Sequence, residues 1–388
     1  MKFLPLILAN LRRSPLRSLL TAAAIAIAIA LVCLLRTLPT ALETILDYAS
    51  SGARVVVLNK AGFDYPLPYA YLQKVRALPG VVSAASWTWY GGIFEVEKGV
   101  TFPSFATEPE VTAEVFPDFG LTPAAAEMFR AHRDGAIVGR ATAKSYGWKA
   151  GDRITLRGDL YPVDLEFQIL EVLPHDLAPI LLFHREYLDQ ALQAAGGGLD
   201  SASLFYVRVD DRARIESLCA EIDALFRNSS AQTVSQSEKE YFKSMFSALD
   251  AFVAITIAVT VLVALCIVFI AANTASLAVR ERAGELAVLK AIGFGKRLVF
   301  SLLVGEVATL ALVGGAAGAF GSLLITLGLH SAATGLMPQL GPLGSFVVTR
   351  VIIVQGIFLA LFIGMISGIV PSYGAARRSV AETMREIF

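Results

Sequence analysis

The sequence predicts an α-helical membrane protein with four transmembrane helices in a 1+3 topology and an inserted α+β extracytoplasmic domain. Four long segments, 18–35, 251–279, 298–329 and 351–376, contain no charged residue apart from Glu306. A helix needs about 20 apolar residues to cross the hydrocarbon core of a bilayer, and a charge at mid-bilayer costs about 2.5–3.5 kcal/mol. About two hundred residues of ordinary soluble composition separate the first segment from the second. The protein therefore combines a membrane part with one large domain outside it.

These segments divide the chain into alternating membrane and soluble parts. The predicted order is an interfacial helix at 1–17, a first span at 18–40, the outer domain at 41–247, a second span at 248–279, a loop at 280–297, a third span at 298–329, a short outer loop at 330–350, a fourth span at 351–376 and a tail at 377–388. The first part carries apolar residues at helical spacing, which suits a helix lying in the membrane interface. A disordered start is the alternative.

The charges predict the orientation in the membrane. Segments 1–17, 280–297 and 377–388 together hold twelve Lys and Arg against four Asp and Glu, whereas 37–247 holds nineteen against twenty-seven. An excess of Lys and Arg in short flanking segments marks the cytoplasmic side. We therefore expect both termini and the 280–297 loop in the cytoplasm, and the large domain outside a bacterial cytoplasmic membrane.

A cleaved signal peptide is the rival interpretation of the first span. The apolar run is longer than the core of a usual signal peptide, and Leu31-Val32-Cys33 is not a small-x-small cleavage site. We therefore expect the span to be retained.

The outer block alternates strand and helix signals, which predicts an α+β fold, in two subdomains. Segment 99–120 is rich in Pro, Gly and acidic residues and is expected to be a loop or a subdomain boundary. A helix is expected at 211–226, with one face formed by Ile215, Leu218, Ile222 and Leu225. Three cysteines and four histidines in the chain show no disulfide framework and no metal-ligand spacing. No catalytic constellation is recognisable.

Small residues in the third and fourth spans predict close helix packing. Gly314 and Gly318 are four residues apart, as are Gly364 and Gly368. Small residues at this spacing let helices approach closely where lipid gives no hydrophobic drive. Glu306 lies near the cytoplasmic end of its span, where it can reach the interface or serve as a functional carboxylate.

The 280–297 loop is predicted to contain a short amphipathic helix. Leu286, Leu289 and Ile292 are three residues apart, Arg282 and Glu285 can pair at i,i+3, and Gly293 is a suitable helix stop. Such a helix, about 18 Å long at 1.5 Å per residue, could bind lipid headgroups or dock a cytoplasmic partner.

Three features of the sequence resemble the MacB/FtsX-like (LolC/E-like) ABC transporter permeases. They are the run Glu281-Arg-x-x-Glu-Leu-Ala-Val-Leu-Lys-Ala-Ile-Gly293, the Gly-rich third span and the closing Pro371-Ser-Tyr-Gly-Ala-Ala-Arg-Arg. Gly135-Ala-Ile-Val-Gly139 and the 151–156 segment look more loosely like the family's periplasmic domain. Members often carry Arg before the loop glutamate, where this chain has Gly284.

The resemblance implies a permease dimer, of like or unlike chains, with separate cytoplasmic ATP-binding subunits. Each subunit would dock on the 280–297 loop, and a periplasmic adaptor protein is a further candidate partner. The implied docking residues are Glu281, Arg282, Glu285, Leu286, Leu289 and Lys290. No cofactor is expected in this chain, and ATP and Mg²⁺ would be held by the partner.

The chain itself is not expected to be an enzyme. Its nearest approach to a phosphate-binding loop has Lys290 in place of the first Gly and Arg297 in place of Ser/Thr. The expected function is export or extraction of a substrate from the outer side. The alternative is an FtsX-like signalling subunit that activates an extracytoplasmic hydrolase or senses a ligand. No nucleic acid is expected to bind, and the bilayer is itself a partner.

Overall fold

The computed structural model describes residues 14–174, 180–336 and 348–377. The described chain forms two compact units, one built from the four long helices and one from the inserted segment that follows Thr40. The interfacial helix expected at 1–17 falls mainly outside the described residues, as do most of the tail and much of the 330–350 loop.

The helices and strands follow each other along the chain in this order. The helices are α1 (Pro15–Ser51), α2 (Tyr71–Arg76), α3 (Pro109–Val115), α4 (Pro123–Ala131), α5 (Arg140–Tyr146), α6 (Arg185–Ala194), α7 (Ile215–Leu225), α8 (Glu238–Met245), α9 (Ala248–Glu281), α10 (Ala283–Ala291), α11 (Lys296–Leu336) and α12 (Arg350–Arg377). The strands are β1 (Arg54–Asn59), β2 (Leu67–Pro68), β3 (Val81–Trp89), β4 (Gly92–Ile93), β5 (Ser104–Thr107), β6 (Gly135–Gly139), β7 (Arg153–Gly158), β8 (Asp164–Leu173), β9 (Leu181–His184), β10 (Ser201–Ala202), β11 (Leu204–Val209) and β12 (Thr233–Ser237).

Within the described residues, four helices are long and apolar enough to cross a membrane. The qualifying stretches are Pro15–Ala49, Ala251–Glu281, Lys296–Gly328 and Arg350–Arg377. They lie in α1, α9, α11 and α12, one before the inserted domain and three after it. The predicted 1+3 architecture is therefore confirmed.

The glycines of α11 and α12 lie where neighbouring helices come closest. A side chain at Gly314 or Gly318 would meet the backbone of α1, at the carbonyl oxygens of Ala22 and Ala26. A side chain at Gly364 would meet Ala311 of α11. Without side chains at these positions the backbones come into direct contact, which maximises van der Waals packing in lipid. Helix α11 therefore packs closely on both α1 and α12.

One mixed sheet organises the outer unit, in the strand order β12-β1-β11-β3-β5-β9-β6-β8-β7-β4. The pairs at the β12 end, up to β3–β5, are antiparallel, whereas β5–β9 and β6–β8 are parallel. The two regions meet where β3 and β5 pair through Thr88 with Ala106 and Trp89 with Phe105. Helices connect the parallel strands, so the domain is α+β as predicted.

Alternation along the strands places two hydrophobic cores on opposite faces of this sheet. Val55 and Val57 of β1 face a core that helices α2 and α7 cover, whereas Val56 and Leu58 face a core rich in aromatic side chains. Successive side chains of a strand point to opposite faces, so a strand buried on both sides is apolar throughout. This explains the unbroken apolar run of β1.

The structure corrects the loop expected at 99–120 and the burial expected of Leu225. Segment 99–120 contains β5 and α3 rather than only loop, because β5 is too short to show a pattern and Pro109 begins a helix at a position where proline is favoured. Leu225 is exposed although Leu218 and Ile222 are buried, and it is the last residue of α7.

Candidate functional site

The loop between α9 and α11 folds into a short, separately capped helix, α10. Helix α9 ends at Glu281, and Arg282 adopts a non-helical backbone with φ −106°. At the other end Gly293 has φ +104°. Its N–H bonds to the Lys290 carbonyl at 3.1 Å, and that of Phe294 bonds to the Leu289 carbonyl at 3.0 Å. This pair of bonds is a Schellman cap, and it confirms the predicted helix stop.

Two ion pairs connect the start of the loop to other helices of the membrane unit. Arg17 Nη1 of α1 lies 2.5 Å from Glu281 Oε2. Arg282 Nη1 lies 3.0 Å and 3.1 Å from the two carboxylate oxygens of Glu306 on α11. Both side chains of this second pair are largely buried, with exposed fractions of 11% and 13%. The loop is therefore connected through charge contacts to α1 and to α11.

The far part of the loop is connected to α12 and to an apolar cluster. Lys290 Nζ donates a hydrogen bond to the carbonyl oxygen of Ala375 at 2.7 Å. Burial, together with the nearby charge of Lys296, lowers the pKa of Lys290. Leu286 packs on a cluster whose buried members are Val299, Leu303 and Ala375. Each long helix of the membrane unit is thus continuous with the loop or contacts it.

Helical spacing divides the loop into an inner and an outer face. Arg282, Leu286 and Lys290 are four residues apart and all face neighbouring helices. Val288 and Ile292 lie on the opposite side, with 54% and 71% of their surface exposed. These faces follow from the 3.6-residue period of a helix.

The structure distributes the six predicted docking residues between these faces. Glu285 is exposed, whereas Leu289 is half-buried. Glu281 contacts α1, while Arg282, Leu286 and Lys290 belong to the inner face. Sequence reasoning missed the outer-face position of Val288 and Ile292. The helix period places Val288 and Ile292 opposite Arg282, Leu286 and Lys290, but it does not say which of the two faces is exposed.

Glu306 also has a role that the sequence did not reveal. Its carboxylate had no recognisable partner in the sequence, since Arg282 is 24 positions away and is separated from it by α10 and the turn that precedes α11. The structure gives it that partner. Among the described residues, no group of three or more His, Cys, Asp or Glu side chains could hold a metal ion.

Comparison with known proteins identifies both parts of the chain. Residues 18–225 match the model of the MacB-like periplasmic core domain, and residues 257–380 match that of the FtsX-like permease C-terminal domain. The chain therefore belongs to the MacB/FtsX-like ABC permease family. This confirms the resemblance drawn from the motifs. Members of this family associate with an ABC ATPase, which is consistent with the expected partner class.

Solved structures with a similar outer domain are distant. The extracellular domain of the noncanonic ABC-type transporter YknZ from Gram-positive bacteria is 10% identical, with a TM-score of 0.34 over 47% of this chain and 98% of that one. The periplasmic region of MacB from Actinobacillus actinomycetemcomitans is 12% identical, with a TM-score of 0.35 over 50% and 92%. A domain of a putative permease from Porphyromonas gingivalis is 18% identical, with a TM-score of 0.31 over 48% and 90%. The search among curated proteins found no match.

Proposed function

We propose that this chain is the transmembrane subunit of an ABC transporter and that the loop 280–297 couples it to a separate cytoplasmic ATPase. In this proposal both termini and the loop face the cytoplasm of a bacterial cell, and the outer domain lies beyond the inner membrane. A second permease chain completes the complex. ATP and Mg²⁺ are held by the ATPase. Movement of the outer domain then drives export or extraction of a substrate from the outer side.

The set of contacts between the loop and the long helices carries this proposal. Contacts to Arg17, Glu306 and Ala375 connect the loop to α1, α11 and α12, while α9 leads directly into it. A displacement of α10 therefore acts on all four long helices together. Close-packed protein interiors transmit such displacements because they have low compressibility.

The outer face of the loop supports docking of a partner there. Val288 and Ile292 expose apolar side chains beside the charged Glu285. Apolar anchors surrounded by polar groups are typical of protein interfaces, in which a few residues supply most of the binding energy. In this proposal Glu285 sets the register of the ATPase, and Leu289 lies at the border of the contact.

Substitutions on the two exposed apolar residues test the proposal. We expect Val288→Asp and Ile292→Asp to abolish co-purification of the ATPase with this chain and its stimulated hydrolysis. A charge buried in an interface without a partner costs several kcal/mol. The matched control is Leu160→Asp, which changes a leucine of the outer domain with 63% of its surface exposed. The control should retain the ATPase.

Retention of the ATPase by both loop variants, at the wild-type level of hydrolysis, would contradict docking at this face. Glu285→Lys tests the same surface by charge reversal. If the ATPase binds but no substrate changes its location on ATP addition, a signalling role replaces transport.

A further inference from the structure

Helix α9 carries an amide side chain on the face that its own bundle leaves uncovered. The inner face of the helix is buried at Ile267, Ala271 and Ala275. Asn273 is exposed, because the helical period turns it by about 160° from both Ala271 and Ala275. The amide therefore points away from the other long helices of the membrane unit.

Asn273 lies within the apolar part of the span. Arg280 is the first charged residue after the charge-free run that begins at Ala251, so it marks the nearer boundary of the membrane. Asn273 precedes it by seven residues, or about 10 Å along a helix at 1.5 Å per residue. Every Cα–Cβ bond tilts toward the N-terminus of its helix, so the Asn273 side chain leans away from this boundary. The amide thus faces hydrocarbon, where no water is present to bond it.

Contact with its own helix cannot satisfy this side chain. The hydroxyls of Thr260 and Thr274 donate to the carbonyl oxygens four residues earlier, at 2.8 Å and 2.9 Å. A primary amide has two N–H donors and a carbonyl acceptor, so a single bond of this kind leaves most of its capacity unused. Such groups hydrogen-bond across helices in membranes. Asn273 therefore calls for a partner outside the bundle.

Another exposed amide of the membrane unit, Gln355 on α12, does not call for one. It follows Arg350 by five residues, or about 7.5 Å. Its nearer boundary is at the N-terminal end of the helix, so the tilt of the Cα–Cβ bond directs Gln355 toward water. Gln355 is therefore a suitable control for Asn273.

Asn273 belongs to a row of exposed side chains that follows the length of the span. The spacing in this row, which we call the α9 seam, alternates between four and three residues. A mean spacing of 3.5 residues keeps such a row in contact with a partner helix along its whole length, and one Asn within it fixes the register. The members are Ile255, Val259, Leu262, Cys266, Phe269 and Asn273.

Symmetry identifies the partner. Two copies of one chain have the same orientation in a membrane, so a two-fold axis between them runs along the membrane normal. Each residue near this axis then meets its own copy at the same depth. An amide is self-complementary, since an N–H of each Asn273 can donate to the carbonyl oxygen of the other. A second copy therefore supplies the required polar group at the required depth.

We propose that the α9 seam binds the α9 seam of a second copy of this chain, with the two Asn273 amides hydrogen-bonded to each other. The proposal rests on the proposed function, in which a second permease chain completes the complex. It identifies that chain as an identical copy and assigns the surface through which the two associate.

Cys266 makes the test direct, because it lies in the middle of the seam. Of the three cysteines in the chain, Cys266 is exposed and Cys33 is 1% exposed, and Cys219 is replaced by serine. Bacterial membranes that contain this full-length variant are oxidised with copper phenanthroline. We expect a disulfide-linked dimer, which the further change Cys266→Ser abolishes.

The matched control moves the thiol by one residue. Leu265→Cys is combined with Cys266→Ser, since Leu265 is 51% exposed and lies at nearly the same depth. It is turned by about 100° from Cys266, off the seam. We expect it to cross-link severalfold less.

The role of the amide is tested by sedimentation equilibrium in detergent micelles. Asn273→Leu should raise the dissociation constant of the dimer by about three- to thirtyfold, the range expected for a hydrogen bond between membrane helices. Asn273→Gln keeps an amide and should recover most of the affinity. Gln355→Leu should leave the dissociation constant unchanged.

Three results would overturn the proposal. They are equal cross-linking from Leu265→Cys and from Cys266, equal dissociation constants for Asn273→Leu and Gln355→Leu, and a cross-linked product that contains a different protein. Monomers throughout, with the ATPase still bound, would also overturn it and would leave ATPase coupling in place. Loss of docking at the loop with the Cys266 dimer intact would do the reverse.

Discussion

Replacement of Gly318 by alanine should loosen the membrane unit, whereas the same change at Gly321 should not. A Cβ atom at Gly318 would overlap the backbone of Ala26 on α1. A Cβ atom at Gly321 on the same helix would meet nothing within 4 Å. The two substitutions share their chemistry and their helix, so they differ only in the space available.

The expected difference follows from two opposing effects. Alanine is favoured over glycine in a helix by about 0.8–1.0 kcal/mol, and this gain is the same at both positions. Overpacking costs about 1–3 kcal/mol and arises only at Gly318, where the obstacle is backbone and cannot rotate away. Gly318→Ala should therefore be less stable than Gly321→Ala by about 1–3 kcal/mol. For a unit of about 150–250 residues this corresponds to a melting temperature lower by about 2–12 °C.

Cys33 provides the assay. It lies in α1 and is 1% exposed, so a thiol-reactive fluorescent dye labels it only when the bundle opens. Cys219 and Cys266 are less protected and are replaced by serine in all the proteins compared. Heating each variant in the presence of dye then gives a melting curve for the membrane unit alone.

Equal melting temperatures for the two alanine variants would refute the reasoning. That result would show that α1 and α11 do not approach each other as closely as the structure indicates. Gly364→Ala, which meets Ala311, extends the same test to the contact between α11 and α12.

Two further predictions concern buried charges. Arg282→Glu and Glu306→Arg should each destabilise the membrane unit by about 3–5 kcal/mol, as expected for loss of one partner of a buried pair. The double exchange should recover most of this loss in the Cys33 assay. Failure to recover would show that Arg282 and Glu306 do not stabilise the unit through their mutual contact. In the outer domain, burial raises the pKa of Glu238 to about 7, although the Arg54 guanidinium, 2.7 Å away, opposes this shift. The same guanidinium binds Asp118 and lowers the pKa of that carboxyl despite its burial. A carboxyl with a raised folded-state pKa stabilises the fold at low pH and loses this contribution as the pH rises through the folded value. Wild type should therefore lose stability relative to Glu238→Gln between about pH 4.5 and 7, when unfolding is followed by tryptophan fluorescence. Parallel curves for the two proteins would contradict the assignment.

The sequence predicts those features that depend on local pattern. Charge-free length identified the spans, and Gly293 located the end of α10. Features set by contacts between distant residues could not be predicted. Arg54 and Glu238 are 184 positions apart, and the partner of Glu306 lies on another helix. The core rich in aromatic side chains could not be predicted for the same reason, since its members come from strands and helices scattered along the outer segment.

The loop contacts and the glycine contacts converge on helix α11, and in the coupling proposed above this convergence would let a short loop act on the whole bundle. Helix α11 receives Arg282 at Glu306 and packs through Gly318 directly on the backbone of α1. Contacts between backbones have no side-chain rotamers through which a displacement can be absorbed, so α1 and α11 must move together. Long, flexible side chains at the same interface would let one helix shift while the other stayed in place. In the coupling proposed above, the small residues of α11 would make a displacement of α10 a displacement of the helix pair.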